Sequence, residues 1–368
     1  SDSVFSTITS EGGGLGTGEA NGNGGDGGSG GGTGQNGGSG GAGTSTDNKP
    51  ANVQVGSRFE ETDTRKMYHY VNWGDNWYLE GSTIPYNATR GVFGGGGATN
   101  VMDYITIATA GNATDFGDLS AVNNNNAAVS SHTRGVFAGG EIIGSLTNVM
   151  DYITIATPSN STDFGDLTVA RRGISGVSSD TRGVIAGGHS GSYSNVMDYI
   201  TIASTGNATD FGDLSFGMFG MGGVSSDTRG VYGGGDQSGT LVNVIQYITI
   251  ASTGNSTDFG DLTVIREGAA GVSSDTRGVF GGGNTGSVSN VIDYITISTL
   301  GNATDFGDLT VARRNPAGVS SATRGVFGGG STGSHSDIID YISIATTGNA
   351  TDFGDLTVAR SFAAGVQG

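Results

Sequence analysis

The sequence predicts an all-β protein, a β-propeller of four-stranded blades preceded by a glycine-rich stem. Similar text, TRGVFGGG followed by DYITIA and GNATDFGDL, recurs six times. The repeats begin at Thr89, Thr133, Thr181, Thr228, Thr276 and Thr323. Each period of about 47 residues holds four short segments separated by turn residues, which matches the size and strand content of one propeller blade.

The unit around residue 290 illustrates the four segments. Residues 269–273 are small and apolar, and residues 277–280 run into three glycines. Residues 290–298 carry the valine, tyrosine and isoleucines typical of a strand, and a fourth segment starts at Thr304 with TDFGDL. Apolar residues do not recur every three or four positions over ten residues, so the pattern does not favour helix.

The two ends of the chain predict the number of blades. We divide the sequence into an N-terminal segment (1–11), a glycine-rich stem or linker (12–50) and a propeller (51–368) in which residues 82–362 hold the six repeats. Residues 51–81 predict a three-stranded meander, and residues 363–368 repeat the small apolar strand. Together they would form a seventh blade and close the ring, which otherwise leaves exposed edges. Six blades, with the meander as a separate module, is the alternative.

The glycine-rich stem has a regular spacing. Glycine occupies every third position from Gly13 to Gly43, with Glu19 as the one interruption. A threefold helix needs glycine where its axis is crowded. The stem is therefore predicted to be a flexible linker, a proline-poor triple helix or a bundle of polyglycine II helices.

Composition narrows the classes of partner. A formal net charge of −18 with only two lysines argues against nucleic acid, whose phosphates require cationic partners. The chain has no cysteine, so disulfides and cysteine-ligated zinc are excluded. Neither a signal-like start nor an apolar run of membrane-spanning length occurs, and membrane insertion is not expected.

The segments GVFGGG, DYITIA and DFGDLTVAR resemble the Kelch repeat. The tryptophan usual in that repeat is replaced by phenylalanine, at Phe116, Phe164, Phe211, Phe259, Phe306 and Phe353. The full repeat also resembles repeats of tailed-bacteriophage tail-fibre proteins, and the text GSRFEETDTRKMYHYVNWGDNWYLEG is similar to small modules of virion structural proteins.

The phage resemblance implies a non-enzymatic fibre or tail-associated protein. It would reside on the extracellular virion after assembly in the host cytoplasm, contact other virion proteins and a host-surface glycan or protein, and form a homo-oligomer such as a trimer. Two alternatives stay open: a structural or decoration component of a virion or extracellular filament, and a secreted glycan-binding lectin.

Comparison of the six repeats predicts where binding takes place. The loop after the glycines and the loop that follows DFGDL vary, and the alternation of antiparallel strands puts both on one side of the disc. The candidate binding residues on these loops are Glu141, Ile143, His189, Tyr193, Asp236, Gln237, Asn124, Phe216, Phe219, Arg172 and Phe362. For the apolar run FGMFGM at 216–221, repacking between blades is the alternative.

The opposite side would carry the constant turns. Each GNAT-like turn is also an N-glycosylation sequon, with the acceptors at Asn112, Asn160, Asn207, Asn255, Asn302 and Asn349, although the residues equally suit a turn. Paired aspartates such as Asp115 and Asp118 lack a calcium-loop spacing. We expect them instead to bond the repeated arginines Arg90, Arg134, Arg182, Arg229, Arg277 and Arg324. No catalytic residue, metal or cofactor is expected.

Overall fold

The computed structural model describes residues 8–10, 39–43, 58–61, 66–71, 76–79 and 88–368. By contacts between Cα atoms the chain divides into two units, Ser1–Pro85 and Tyr86–Gly368. All secondary structure in the described ranges is β-strand.

The first unit contains a single five-stranded sheet, in which the strands follow chain order. Its strands are β1 (Ile8–Ser10), β2 (Ser39–Gly43), β3 (Arg58–Glu61), β4 (Lys66–Val71) and β5 (Asn76–Leu79). β2 and β3 are parallel, and the other pairs are antiparallel. β3, β4 and β5 form the meander expected from the sequence. Apart from β2, the predicted glycine-rich stem lies outside the described residues.

The second unit is a propeller of six four-stranded antiparallel blades. Blade 1 combines β6 (Arg90–Gly94), β7 (Val101–Thr106) and β8 (Thr114–Asp118) with the last strand of the chain, β29 (Ala364–Gln367). Blade 2 consists of β9 (Ala127–Ser130), β10 (Arg134–Ile142), β11 (Ser145–Thr154) and β12 (Thr162–Asp166). Blade 3 consists of β13 (Ser175–Ser178), β14 (Arg182–Ala186), β15 (Val196–Thr201) and β16 (Thr209–Asp213).

Blades 4, 5 and 6 follow the same plan. Blade 4 consists of β17 (Gly222–Ser225), β18 (Arg229–Gln237), β19 (Thr240–Thr249) and β20 (Thr257–Asp261). Blade 5 consists of β21 (Ala270–Ser273), β22 (Arg277–Gly281), β23 (Val291–Thr296) and β24 (Thr304–Asp308). Blade 6 consists of β25 (Ala317–Ser320), β26 (Arg324–Gly328), β27 (Ser336–Ser343) and β28 (Thr351–Arg360).

The propeller and its four-stranded blades confirm the predicted fold class, but the prediction of seven blades is wrong and the six-blade alternative is confirmed. β29 pairs with β6, Val366 opposite Val92, rather than with the meander. The reason lies in the phase of the repeat. Each sequence repeat begins with the second strand of one blade and ends with the first strand of the next blade. The final AAGV therefore belongs to the sixth repeat and supplies the first strand of blade 1.

The glycine of the TRGV segment, which lies in the second strand of each blade, is explained by contact between blades. A Cβ added to Gly278 would lie 2.5 Å from Cγ2 of Val224, a residue of the inner strand of the preceding blade. Real Cβ atoms do not approach so closely, so only glycine lets the inner strand of one blade pack against the second strand of the next. The same arrangement recurs at Gly183 and Gly230.

An aromatic and cationic stack supports each blade. In blade 5 the Tyr294 ring meets the Phe306 ring edge to face, with centroids 6.0 Å apart, and the Arg277 guanidinium lies 4.3 Å above the tyrosine. Arg277 Nη1 also donates to the carbonyl oxygens of Ile344 and Ala345 in blade 6, both at 2.9 Å. Each stack therefore ties one blade to the next.

Candidate binding face

The loops that vary between repeats lie side by side. In each of blades 2 to 6, a residue of the loop entering the blade forms a two-residue bridge with the end of the second strand (blades 2 and 4) or with the loop that follows that strand (blades 3, 5 and 6). The bridges are Asn124↔Glu141, Arg172↔His189, Phe219↔Asp236, Glu267↔Asn284 and Arg314↔Ser331. We call the surface formed by these two loop sets the variable face.

Blades 2 and 4 extend the variable face with long hairpins. β10 and β11 are joined at Ile143 and Gly144, and β18 and β19 at Ser238 and Gly239, all four with positive φ as a type I′ turn requires. Ile143 is β-branched, has φ 48° and is 90 % exposed. Blade 3, between the two hairpins, lacks such an extension, because β14 ends at Ala186 and β15 begins only at Val196.

Five of the predicted binding residues form a continuous strip across blades 2, 3 and 4. Arg172 makes an ion pair with Glu141 of the blade 2 hairpin. The rings of His189 and Tyr193 meet edge to face with centroids 5.6 Å apart. Tyr193 Oη donates to Asp236 Oδ2 of the blade 4 hairpin at 3.0 Å. We call these five residues the polar-aromatic strip.

The strip combines partly exposed charge with partly exposed rings. The side chain of Arg172 is 40 % exposed and that of Glu141 is 23 % exposed. Desolvation, followed by the hydrogen bond to the Asp236 carboxylate, raises the pKa of Tyr193, so its phenol stays protonated and donates at neutral pH.

The other predicted residues have separate positions. Asn124 Oδ1 accepts from the backbone N–H of Ala98, and Gln237 ends β18 beside Asp236. Phe216 packs against the core shared by blades 3 and 4, as the repacking alternative for FGMFGM expected. Phe219 lies against Gly173, where an added Cβ would overlap the phenylalanine ring.

Phe362 belongs to a ring of hydrogen bonds that the sequence did not predict. One residue from each blade-entering loop has positive φ, namely Phe362, Asn125, Gly173, Gly220, Gly268 and Asn315. The N–H of each donates to the carbonyl of its counterpart in the preceding blade at 2.7–3.1 Å, which closes a circle of six bonds. The predominance of Gly and Asn at this position is the signal that could have revealed it.

A central channel of about 140 Å³ runs between the inner strands. On the side opposite the variable face, its mouth is lined by serines and by His132, Asp180, Asp227 and Asp275. The hydrogen bond with His132 holds the pKa of Asp180 below its usual value. Desolvation, and to a smaller extent repulsion from Asp227, raises the pKa of Asp275.

Within the described ranges, no three His, Cys, Asp or Glu side chains are grouped to hold a metal ion.

The sequon asparagines link adjacent blades on this opposite side. Asn160 Oδ1 accepts from the N–H of Asp118 in the outer strand of the preceding blade at 3.1 Å, and the same bond recurs around the ring at 3.0–3.1 Å. These side chains therefore hold neighbouring outer strands together. Asn160 is nevertheless exposed.

The expected bonds between the repeated arginines and the paired aspartates are not formed, so that prediction is wrong. Arg90 Nη1 donates to the carbonyls of Ile155 and Ala156 in blade 2, and its guanidinium lies over Tyr104. Asp115 lies exposed on the outermost strand. The arginine lies on the second strand, where its guanidinium stacks on the tyrosine of the third strand and donates to backbone carbonyls of the next blade instead of to the aspartates.

A different arginine makes the buried ion pairs, and sequence reasoning missed it. In blades 1, 3, 5 and 6, the arginine four residues before the blade's first strand pairs with the aspartate of the third strand, and both side chains are fully buried. The pairs are Arg360–Asp103, Arg171–Asp198, Arg266–Asp293 and Arg313–Asp340, at 2.5–2.9 Å. Comparison of the repeats could have revealed these ion pairs, because the two positions change together: blade 4 has Met218 in place of the arginine and Gln246 in place of the aspartate.

Within the same described ranges, the structure contains no helical segment with the length and apolar character of a membrane span. The chain matches no known protein-family model and no curated protein sequence.

Proposed function

We propose that this chain is a non-enzymatic phage virion protein, a fibre or tail-associated component, and that its variable face recognises a glycan or protein on the host surface. The phage assignment and the extracellular location rest on the resemblance of the repeat and the meander to virion proteins. The recognition role rests on one observation: a uniform six-bladed scaffold concentrates its sequence variation in adjacent loops, where the polar-aromatic strip crosses three blades.

The chemistry of the strip suits a carbohydrate. Tyr193 and His189 offer partly exposed rings that can pack against the C–H groups of a sugar, while the carboxylates of Glu141 and Asp236 and the guanidinium of Arg172 can hydrogen-bond hydroxyl groups. The contacts within the strip fix these groups before a ligand arrives. Binding then costs less conformational entropy than it would with free side chains.

The test measures binding of the purified chain to a panel of bacterial surface polysaccharides and to host cells. Arg172→Ala and Tyr193→Ala should each weaken binding by about tenfold or more, because each removes a direct contact of about 1.4 kcal/mol or more. Arg314→Ala is the matched control, since Arg314 occupies the same loop position in blade 6, outside the strip.

Two outcomes would overturn the proposal. One is an absence of binding to polysaccharides and cells by the wild-type chain. The other is binding that all three variants leave unchanged. Electron cryo-microscopy of the assembled particle adds an independent reading, because a variable face covered by neighbouring subunits would favour the structural role instead.

A further inference from the structure

The buried ion-pair position exists in three versions within the one chain. Four blades carry arginine and aspartate, and blade 4 carries Met218 and Gln246, which are both neutral. Blade 2 has lost only the cation: Asn123 stands at the arginine position, while the carboxylate is retained as Asp151. Blade 2 is therefore the one version in which a buried negative charge has no arginine opposite it.

The Asp151 carboxylate is buried and only half satisfied. Oδ2 accepts from the backbone N–H of Ser120 at 3.0 Å and from its hydroxyl at 2.7 Å. Oδ1 is buried and has no hydrogen-bond partner among residues 88–368. Asp151 is 7 % exposed, whereas the four paired aspartates are 0 % exposed. Because a buried carboxylate without a compensating charge is costly, this oxygen requires a partner.

Asn123 does not supply that partner. Its Nδ2 donates to the carbonyl of Gly139 at 2.7 Å, and its Oδ1 accepts from the N–H of Glu141 at 3.0 Å, so the side chain is committed to the blade 2 hairpin. An asparagine side chain also lacks the four heavy atoms of a guanidinium group. In blade 4, by contrast, Met218 is fully buried and fills the equivalent position, and Gln246 Oε1 accepts two hydrogen bonds.

The sister blades identify the groups that face the occupant of this position. In blade 5, Arg266 Nη2 donates to Asp293 Oδ2 at 2.8 Å and to the Phe280 carbonyl at 3.2 Å, and Nη1 donates to the Val291 carbonyl at 2.8 Å. The strand register is the same in both blades: Phe280 pairs with Asp293 as Phe137 pairs with Asp151. By this correspondence, an occupant of the blade 2 position would face the Asp151 carboxylate and the backbone carbonyl of Phe137, the counterpart of Phe280.

We propose that blade 2 binds a monovalent metal cation at Asp151, where the sister blades place an arginine guanidinium. One carboxylate balances one positive charge, and carbonyl oxygens replace the hydration shell of an ion such as K⁺. A divalent ion would take six to eight oxygens and several carboxylates.

The test compares the thermal stability of the full chain in KCl, NaCl and choline chloride at constant ionic strength. Choline carries the same charge, but the four carbon substituents on its nitrogen prevent direct coordination by carboxylate and carbonyl oxygens. We expect the Tm of the wild type to rise by about 2–4 °C for each tenfold increase in K⁺ or Na⁺ above the dissociation constant, and not to rise with choline.

Two variants separate this site from a general salt effect. Asn123→Arg introduces the guanidinium but removes the two hydrogen bonds that Asn123 makes to the hairpin, so the readout is the ion dependence of the Tm and not the Tm itself. We expect the dependence on alkali ions to disappear. Arg171→Asn recreates the blade 2 arrangement in blade 3 and should add a second ion-dependent increment. Should Arg171→Asn fail to fold, Asn123→Arg still decides the question.

A crystal soaked in Rb⁺ or Tl⁺ gives the direct reading, with an anomalous peak expected beside Asp151 Oδ1. Equal Tm values in the three salts would overturn the proposal, as would an Asn123→Arg protein that keeps its alkali-ion dependence. The absence of an anomalous peak at saturating ion would overturn it as well, and would mean that water or a proton satisfies the carboxylate.

Discussion

Transferring the neutral pair of blade 4 into blade 5 would measure how strongly a buried ion pair is coupled. The substitutions are Arg266→Met and Asp293→Gln, made singly and together. Arg266→Met leaves a fully buried carboxylate without its cation, and Asp293→Gln leaves a fully buried guanidinium without its anion. Each single change should lower the free energy of unfolding by about 3–5 kcal/mol.

The double variant should be far more stable than the sum of the single changes predicts. Desolvation lowers the pKa of Arg266, and Arg266 Nε has no hydrogen-bond partner among the described residues. The attraction between the two charges therefore offsets only part of the free energy that their burial costs. Methionine and glutamine already occupy the equivalent positions in blade 4. We therefore expect a total loss of about 1.5 kcal/mol or less, which implies a coupling of at least about 4 kcal/mol.

The assay is urea denaturation, because guanidinium chloride would supply the missing cation itself. Far-UV circular dichroism and tyrosine fluorescence must give coincident transitions before free energies are compared. The reverse changes in blade 4, Met218→Arg and Gln246→Asp, are the matched control: Met218→Arg alone should destabilise and the pair should recover. A double variant in blade 5 as unstable as the summed single variants would refute the reasoning.

Three further predictions concern contacts between blades. Gly278→Ala should cost about 1–3 kcal/mol, because its Cβ would overlap a valine of the preceding blade, whereas Gly111→Ala, with open space around it, should change the free energy of unfolding by less than about 0.5 kcal/mol in urea denaturation. Arg277→Lys keeps a positive charge but removes the planar guanidinium that lies over the tyrosine while its Nη1 donates to two carbonyls, so we expect a loss of about 1–2 kcal/mol by the same assay. The bond with His132 lowers the pKa of Asp180 in the folded protein below 3.8, its ordinary value in the unfolded chain. The Asp180 carboxylate therefore stabilises the fold fully above pH 3.8, and this stabilisation is lost as the pH falls through the lower pKa of the folded state. The Tm advantage of the wild type over Asp180→Asn should therefore shrink below pH 3.8, and a constant difference would contradict this assignment.

Local signals explain what the sequence predicted correctly. Strand segments, glycine turns and the repeat period are all contained within one unit, so the four-stranded blade was accessible without any knowledge of distant contacts. The grouping of the variable loops followed in the same way, because alternation of antiparallel strands is a local rule. The positions of Glu141, Arg172, His189, Tyr193 and Asp236 in adjacent loops agree with that rule.

Long-range pairing explains what the sequence did not predict. Val366 pairs with Val92, and no local pattern states whether a terminal strand completes the first blade or a separate one. The two sets of arginines pose the same difficulty. Arg277 and Arg266 look equally available in the sequence, yet one stacks on a tyrosine at a blade edge while the other is buried against an aspartate.

Repetition makes the chain its own comparison set. Met218 with Gln246 shows that the ring accepts a neutral replacement when both members of a pair change together. Asp151 with Asn123 keeps the buried carboxylate without the arginine that balances it in four other blades, and this difference is the basis of the proposed cation site. The contrast matters because both positions share one strand register, so that differences in fold are removed from the comparison. Blade 4 shows that the scaffold accepts a neutral residue at this position, yet blade 2 keeps the buried carboxylate of Asp151. Asp151 is therefore the first place to look for a bound ion.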